Sequence, residues 1–189
     1  MEIYLVRHTK TNIEAGVCFG QTDAGLADSF LSDSELIKKL LPPNPEAVFS
    51  SPLLRCTQLA GSIYPDNFFI DNRLMELNFG DWEMKRWDDI PEAMLRNWTE
   101  NYVTQPPPNG ESFNELHNRG RQFFQEIINA KYNKVVVFTH AGVIRSILAI
   151  VLKIELPETF NYAVEHGSIT GIKYQDGIFT VSGLSVQKG

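Results

Sequence analysis

An arginine and a histidine stand side by side at Arg7-His8, directly after the largely apolar run Ile3-Tyr-Leu-Val6. Such a run reads as a buried β-strand, and charge at the end of a buried strand is costly unless something pairs with it. The pair therefore marks the floor of a site for an anion. Two other places carry related chemistry. Arg55 falls in the opening turns of a helix expected after Ser50-Ser-Pro52, and His140 follows the strongest strand candidate, Lys134-Val-Val-Val-Phe-Thr139. A cation near a helix N-terminus is disfavoured by the helix dipole, by about 0.3–1 kcal/mol. Arg55 makes sense there if an anion lies between its guanidinium and the helix end. Arginine keeps its charge and offers planar, bidentate donors suited to phosphate, and helix N-termini add backbone donors. The group implied is a phosphoryl group. A neutral histidine attacks phosphorus as a nucleophile, and a second, protonated one stabilises charge on the transferring group.

No cluster of Asp, His and Cys has metal-ligand spacing, so the arginines and histidines would replace a metal clamp; no metal and no cofactor is expected. The remaining role is a proton donor for the leaving oxygen. A carboxyl group beside a phosphate holds its proton more tightly and can act as an acid. Glu76, in the semi-apolar turn Arg73-Leu-Met-Glu-Leu-Asn-Phe-Gly80, is the best candidate, with Glu83 and Glu14 not separable from it on sequence physics.

These residues need elements that bring them together. After the first strand, Thr9 to Ser29 reads as a long loop, a length usually tied to function in compact domains. Ser32-Asp-Ser-Glu35 matches a capping box, predicting a helix over 33–41 that Pro42-Pro43 ends. Ala47–Phe49 is a short strand. Ser51 and Pro52 suit an N-cap and a first helical residue, so a helix is expected from there to about Tyr64. Phe68–Ile70 is a third strand candidate. Residues 81–111 hold all three tryptophans and close on Pro106-Pro-Pro108; they read as a partly helical excursion. Ser112-Phe-Asn-Glu115 opens an amphipathic helix. Lys134–Thr139 suggests burial on both faces, Val143–Leu152 a buried helix, and 168–174 with 178–184 a hairpin around Gln-Asp-Gly177. Alternating strands and helices predict an α/β three-layer sandwich, with a mainly parallel central sheet and helices on both faces. Ligands in such folds sit at the carboxyl ends of the strands, where Arg7-His8, Ser50-Ser51 and Thr139-His140 would meet.

The chain's 189 residues, 43% hydrophobic and 21% charged, suit one domain over 1–189. A net charge of −6 argues against a general nucleic-acid binder. No charged-then-apolar leader opens the sequence and no apolar run approaches about 18 residues, so neither export nor a membrane span is expected. Cys18 and Cys56 read as reduced thiols in a cytoplasmic protein. The expected partner is a small phosphorylated substrate. The oligomeric state is left open, a homodimer included.

The assembled motifs resemble a known family. Leu5-Val-Arg-His-Thr9 is similar to the Arg-His-Gly signature of the histidine phosphatase superfamily, which includes the cofactor-dependent phosphoglycerate mutases. Ser50-Ser-Pro-Leu-Leu-Arg-Cys-Thr57 resembles its second-arginine motif, Arg73–Glu83 its acid-bearing loop, and Thr139-His-Ala-Gly-Val-Ile-Arg145 its second-histidine motif. The resemblance spans residues 3 to 145 with all four motifs in order. It implies a phosphoglycerate mutase-like fold and assigns roles. His8 would form a phosphohistidine, Arg7, Arg55 and His140 would hold the phosphoryl oxygens, Glu76 would donate the proton, and the backbone at Ala141 would add a donor.

Within the superfamily, Gly16-Val-Cys-Phe-Gly-Gln-Thr-Asp23 and the opening Arg-His-Thr look most like the alpha-ribazole phosphatases of cobalamin assembly. By that likeness Gly20 and Gln21 would line the phosphate site. The reaction would remove the 5′-phosphate of alpha-ribazole 5′-phosphate, with residues 81–111 capping the site and Trp82, Trp87 or Trp98 facing the flat benzimidazole. A sugar-phosphate or broad phosphatase, a phosphoglycerate mutase, and a non-catalytic phosphate-binding module are the alternatives. Met84 and Glu14 depart from the mutase pattern, and the chain is short for a mutase, which places the phosphatase ahead.

Overall fold

The computed structural model describes residues 1–65 and 67–184. Its centre is a six-stranded sheet of β1 (Glu2–Arg7), β2 (Ala47–Ser50), β3 (Phe69–Ile70), β4 (Lys134–Thr139), β5 (Ile169–Gln175) and β6 (Ile178–Leu184), in the order β3-β2-β4-β1-β5-β6. β1, β2, β3 and β4 run parallel, and β5 lies antiparallel to β1 and β6. The apolar run of β4 puts it in the middle, with Val135, Val136, Val137 and Phe138 fully buried. Burial of such side chains contributes about 1.5–3 kcal/mol each.

Alternation along the strands divides the core into two layers. Ile3, Leu5, Val135 and Val137 face α4 (Phe113–Ala130) and α5 (Ala141–Leu152), among Phe123, Phe124, Ile144 and Ile147. Val6, Val48, Val136 and Phe138 face α1 (Phe30–Leu40) and α2 (Leu54–Ile63), among Ile37, Leu59 and Ile63. The three-layer α/β sandwich expected from the sequence is the fold observed. The tail forms the expected hairpin: Gln175 pairs with Ile178 across a two-residue turn, and Asp176 and Gly177 both take positive φ, at 52° and 81°, as a type I′ turn requires.

Two helix starts differ from expectation. The Ser32 capping box is not formed, because the chain turns helical earlier, with Ser29 at the N-cap; Ser32 lies inside the first turn and donates to Ser29 O. The helix after Ser50-Ser-Pro52 begins at Leu54 with Leu53 as N-cap. Ser51 Oγ lies 2.8 Å from His140 Nε2 while accepting from Leu53 N at 3.3 Å, and Asp23 Oδ1 accepts from Leu54 N across the fold at 2.8 Å. The Ser112 capping box is present in full, with the Glu115 carboxylate accepting from Ser112 N.

Residues 81–111 leave the sheet as two 3-10 turns and α3 (Glu92–Asn101). Their Trp82 and Ile90 form a small apolar cluster with Cys18 of the 9–29 loop. Met84 takes a left-handed φ of 62°, a conformation in which glycine would be relaxed.

Candidate active site

Parallel register assembles the site. Arg7 pairs with Thr139 across β1 and β4, so His8 and His140 leave neighbouring strand ends together. Ser50 pairs with Phe138, which sets Ser51 beside His140. The His8 and His140 rings lie 5.1 Å apart, and His140 Nε2 is 2.8 Å from Ser51 Oγ. Both histidines are buried.

His8 Nδ1 is 2.7 Å from Thr9 O. A carbonyl only accepts, so neutral His8 carries its proton on Nδ1 and keeps a lone pair on Nε2. Burial, and then the charges of Arg55 and Arg7, hold the His8 pKa well below its usual value despite the bond to Thr9. His140 is lowered well below its usual value by burial, then by Arg55 and His8, so the second histidine is uncharged rather than the protonated one expected, and it meets an oxyanion as a neutral N–H donor. His8 is thus an uncharged imidazole at neutral pH, as a nucleophile must be.

Arg55, on the first turn of α2, is nearly fully buried and donates to Gly20 O at 2.5 Å and Thr22 O at 3.0 Å. Arg7 donates to Val164 O at 2.6 Å, and its Nη2 meets His166 Nε2 at 3.0 Å. Polar atoms without a partner gather around these groups: Arg7 Nε, Arg55 Nε, His140 Nδ1 and Thr9 Oγ1 are all buried and unpaired. An orphaned buried polar group costs about 1–3 kcal/mol, so their concentration at three strand ends suits an oxyanion that accepts from donors. Thr9 adds a hydroxyl there that glycine would lack. Among the described residues, no group of three or more His, Cys, Asp or Glu side chains is placed to hold a metal ion.

The three candidate acids separate by geometry. Glu76 Oε2 accepts from Gly142 N at 3.2 Å and Oε1 from Leu77 N at 2.9 Å, which fixes the carboxyl at the N-terminus of α5 beside Ala141. A Cβ on Gly142 would overlap Glu76 Oε1, so glycine is what allows this approach. Arg119 holds the loop from behind through the carbonyls of Arg73, Met75 and Glu76. Glu83 is engaged elsewhere. Its carboxylate accepts from the backbone N–H groups of Gly20, Gln21, Thr22 and Phe79 and from Thr22 Oγ1. Burial opposes its charge, but these donors outweigh it and hold its pKa below the usual range. Glu14 is exposed and pairs with Arg86 at 3.5 Å.

Gly20 is fixed twice, through its N–H to Glu83 and its carbonyl to Arg55, and a Cβ there would overlap Leu77 O. Gln21 reaches Glu76 O with its side-chain amide at 3.0 Å. Sequence reasoning did not single out His166, whose ring is 5.3 Å from His8 and whose pKa is lowered to about 4 by burial and then Arg7. Nothing near it in sequence signals a role, because the long-range pairing of β5 with β1 brings it in. Arg145 closes the second-histidine motif, where the sequence suggested no role for it.

A cavity of about 250 Å³ opens beside Glu76, walled by Phe19, Phe79, Trp98, Tyr102, Phe113 and Phe160 together with Ala141, Gly142 and Arg145. Arg55 lies over the Phe19 ring, 5.4 Å from its centroid, so Phe19 joins the cavity to the oxyanion cluster. Of the three tryptophans only Trp98 lines it. Trp82 is buried in the cluster with Cys18 and Ile90, and Trp87 stacks on Trp98 at 6.0 Å.

The histidine phosphatase superfamily (branch 1) matches residues 3–187 of the chain. The adenosylcobalamin/alpha-ribazole phosphatase of Salmonella typhimurium is 25% identical over 194 residues, covering 98% of this chain and 96% of that protein. A metal-independent phosphoserine phosphatase of Arabidopsis thaliana is 31% identical over 158 residues, covering 77% and 66%. Among solved structures, the alpha-ribazole phosphatase of Shigella flexneri superposes with a TM-score of 0.90 at 23% identity, over 98% of this chain and 96% of that one; at that identity the likeness speaks for the fold.

Proposed function

The chain belongs to the histidine phosphatase superfamily, and we propose that it is a phosphomonoesterase working through phosphohistidine, with alpha-ribazole 5′-phosphate as its preferred substrate in cobalamin assembly. The observation that carries the chemistry is a buried His8 with a free Nε2 lone pair, ringed by Arg7, Arg55 and His140. His8 Nε2 attacks phosphorus, and the P–O ester bond breaks as the P–N bond forms. Glu76 gives its proton to the leaving oxygen. Water then attacks the phosphohistidine, its proton passes to Glu76, and the P–N bond breaks to release phosphate. Arg7, Arg55 and His140 donate to the phosphoryl oxygens, where preorganised donors act most strongly.

The aromatic walls of the cavity support the substrate. A flat base entering there would meet several rings, each such contact contributing about 0.5–1.5 kcal/mol beyond burial. The excursion then serves as a cap through Trp98 and Tyr102. A second reading, phosphoserine, draws on the Arabidopsis relative and on a cation, Arg145, available for a carboxylate. It lacks an acid for the ammonium group, because among the described residues Glu76 is the only carboxylate on the cavity wall and serves as proton donor.

The test is a panel of alpha-ribazole 5′-phosphate, phosphoserine, 3-phosphoglycerate and a sugar phosphate at matched concentrations. Alpha-ribazole 5′-phosphate is expected to give the highest kcat/KM. His8→Ala should abolish turnover, and acid-labile, base-stable label should be trapped on the native chain. Full activity in His8→Ala overturns the chemistry; a winning phosphoserine overturns the substrate alone.

A further inference from the structure

We propose that Arg145 determines specificity by reading the leaving group, so that the enzyme selects phosphomonoesters whose leaving group carries a hydrogen-bond acceptor on the side away from the ester. The inference rests on the phosphomonoesterase reading but not on the identity of the natural substrate.

Arg145 lies on the second turn of α5 and lines the aromatic cavity. Its guanidinium rests on the Phe160 ring, 4.7 Å from the centroid, and its Nε is buried without a hydrogen-bond partner. Among the described residues no carboxylate forms an ion pair with it. The other arginines around the site have their places: Arg7 and Arg55 are held by backbone carbonyls at the oxyanion cluster, and Arg119 by the Glu76 loop and Glu111. Glu76 and Glu165 favour its charge from beyond ion-pair distance, so an arginine held half-buried against a ring presents donors to the cavity with no protein acceptor in contact among the described residues, and an acceptor on the ligand would satisfy them.

Spacing sets the side of the leaving group on which that acceptor lies. Glu76 is anchored at Gly142 N, which places the leaving oxygen at the first turn of α5. Arg145 follows three residues later, its Cα about 4.5 Å further along the axis at a rise of 1.5 Å per residue, so a ribose or a single aromatic ring lying along the helix start carries an acceptor towards it. Planar, forked donors on a stacking surface suit a carboxylate best and a neutral acceptor next.

Three aryl phosphates of nearly equal shape provide the test: 4-methylphenyl, 4-carbamoylphenyl and 4-carboxyphenyl phosphate. Native enzyme should prefer the carboxylate over the methyl probe in kcat/KM, with the amide between. In Arg145→Met that preference should collapse by about ten- to a hundredfold, mainly through KM, with Arg145→Lys restoring part of it. Comparing ratios between enzymes cancels intrinsic leaving-group reactivity. A rise in melting temperature with added orthophosphate shows that each variant is folded with its phosphate site intact. Equal ratios in native enzyme and Arg145→Met overturn the inference while the phosphatase reading stands. Failure to hydrolyse any probe or any phosphomonoester of the panel overturns both.

Discussion

At the scale of single residues, the geometry around Glu76 is the most consequential, because it sets this acid apart from the other two by what it touches. Glu83 is occupied by the donors of the 20–22 loop and Glu14 is exposed, whereas Glu76 borders both the cavity and the start of α5. If Glu76 protonates the leaving oxygen, the loss in Glu76→Gln depends on how much the leaving group needs that proton. Turnover of an alkyl phosphate should fall by about 10²–10⁴, and that of 4-nitrophenyl phosphate, whose leaving group departs as an anion, by much less in the phosphorylation step. Single-turnover rates on both esters measure the difference. Equal losses on both would remove Glu76 from the acid role. This residue was legible as a candidate because it lies in a semi-apolar turn, but the competing acids differ from it only in what they touch.

At the scale of elements, the loop from Thr9 to Ser29 gains its order from outside itself. Its short-range hydrogen bonds are few; the Glu83 carboxylate gathers its amides, Arg55 binds its carbonyls, and its Asp23 caps α2 in return. In Glu83→Gln an amide nitrogen would face N–H donors it cannot accept from. Leaving such groups unpaired costs about 1–3 kcal/mol, and each kcal/mol corresponds to about 2–4 °C in a chain of this size. The variant should therefore melt several degrees lower. Its KM should rise more than its kcat falls, because Arg55 is held through this loop. Thermal melts and steady-state kinetics check both, and an unchanged KM would separate the loop from the phosphate site. The same dependence on distant partners explains the helix starts: the local Ser112 box is read correctly from four residues, whereas Ser51 also meets His140 and Asp23 supplies the acceptor at the start of α2.

At the scale of the whole molecule, burying several histidines among arginines makes stability depend on pH. His8 and His140 lie well below the ordinary value and His166 falls to about 4. An unfolded histidine titrates near about 6.5, so on acidification the unfolded chain takes up protons that the folded chain refuses. Stability is then fully present above that value and falls as pH drops through it towards the folded values. The melting temperature should fall between pH 7 and 5.5, before most carboxylates titrate. An oxyanion among these groups favours their charged forms, so sulfate, whose charge is constant over the range, should raise the melting temperature more at pH 5.5 than at pH 7.5. Melts at both values, against chloride at equal ionic strength, test this; a flat profile would contradict it.

The sequence by itself determined the layers and the residues gathered at the strand ends. Period-two and helical apolar patterns are local, and the unbroken run at Lys134–Thr139 had to be a central strand, so the sandwich and its shared strand ends followed. Arg7, His8, Arg55 and His140 were legible because each adjoins a strand end or a helix start. Tertiary structure alone decided which acid stands by α5, that Trp98 rather than Trp82 or Trp87 reaches the cavity, and that His166 and Arg145 border the site. Those outcomes depend on contacts between residues far apart in the chain. The pairing of β5 with β1 carries His166 to His8, and the packing of residues 81–111 turns one tryptophan, out of three, towards the cavity.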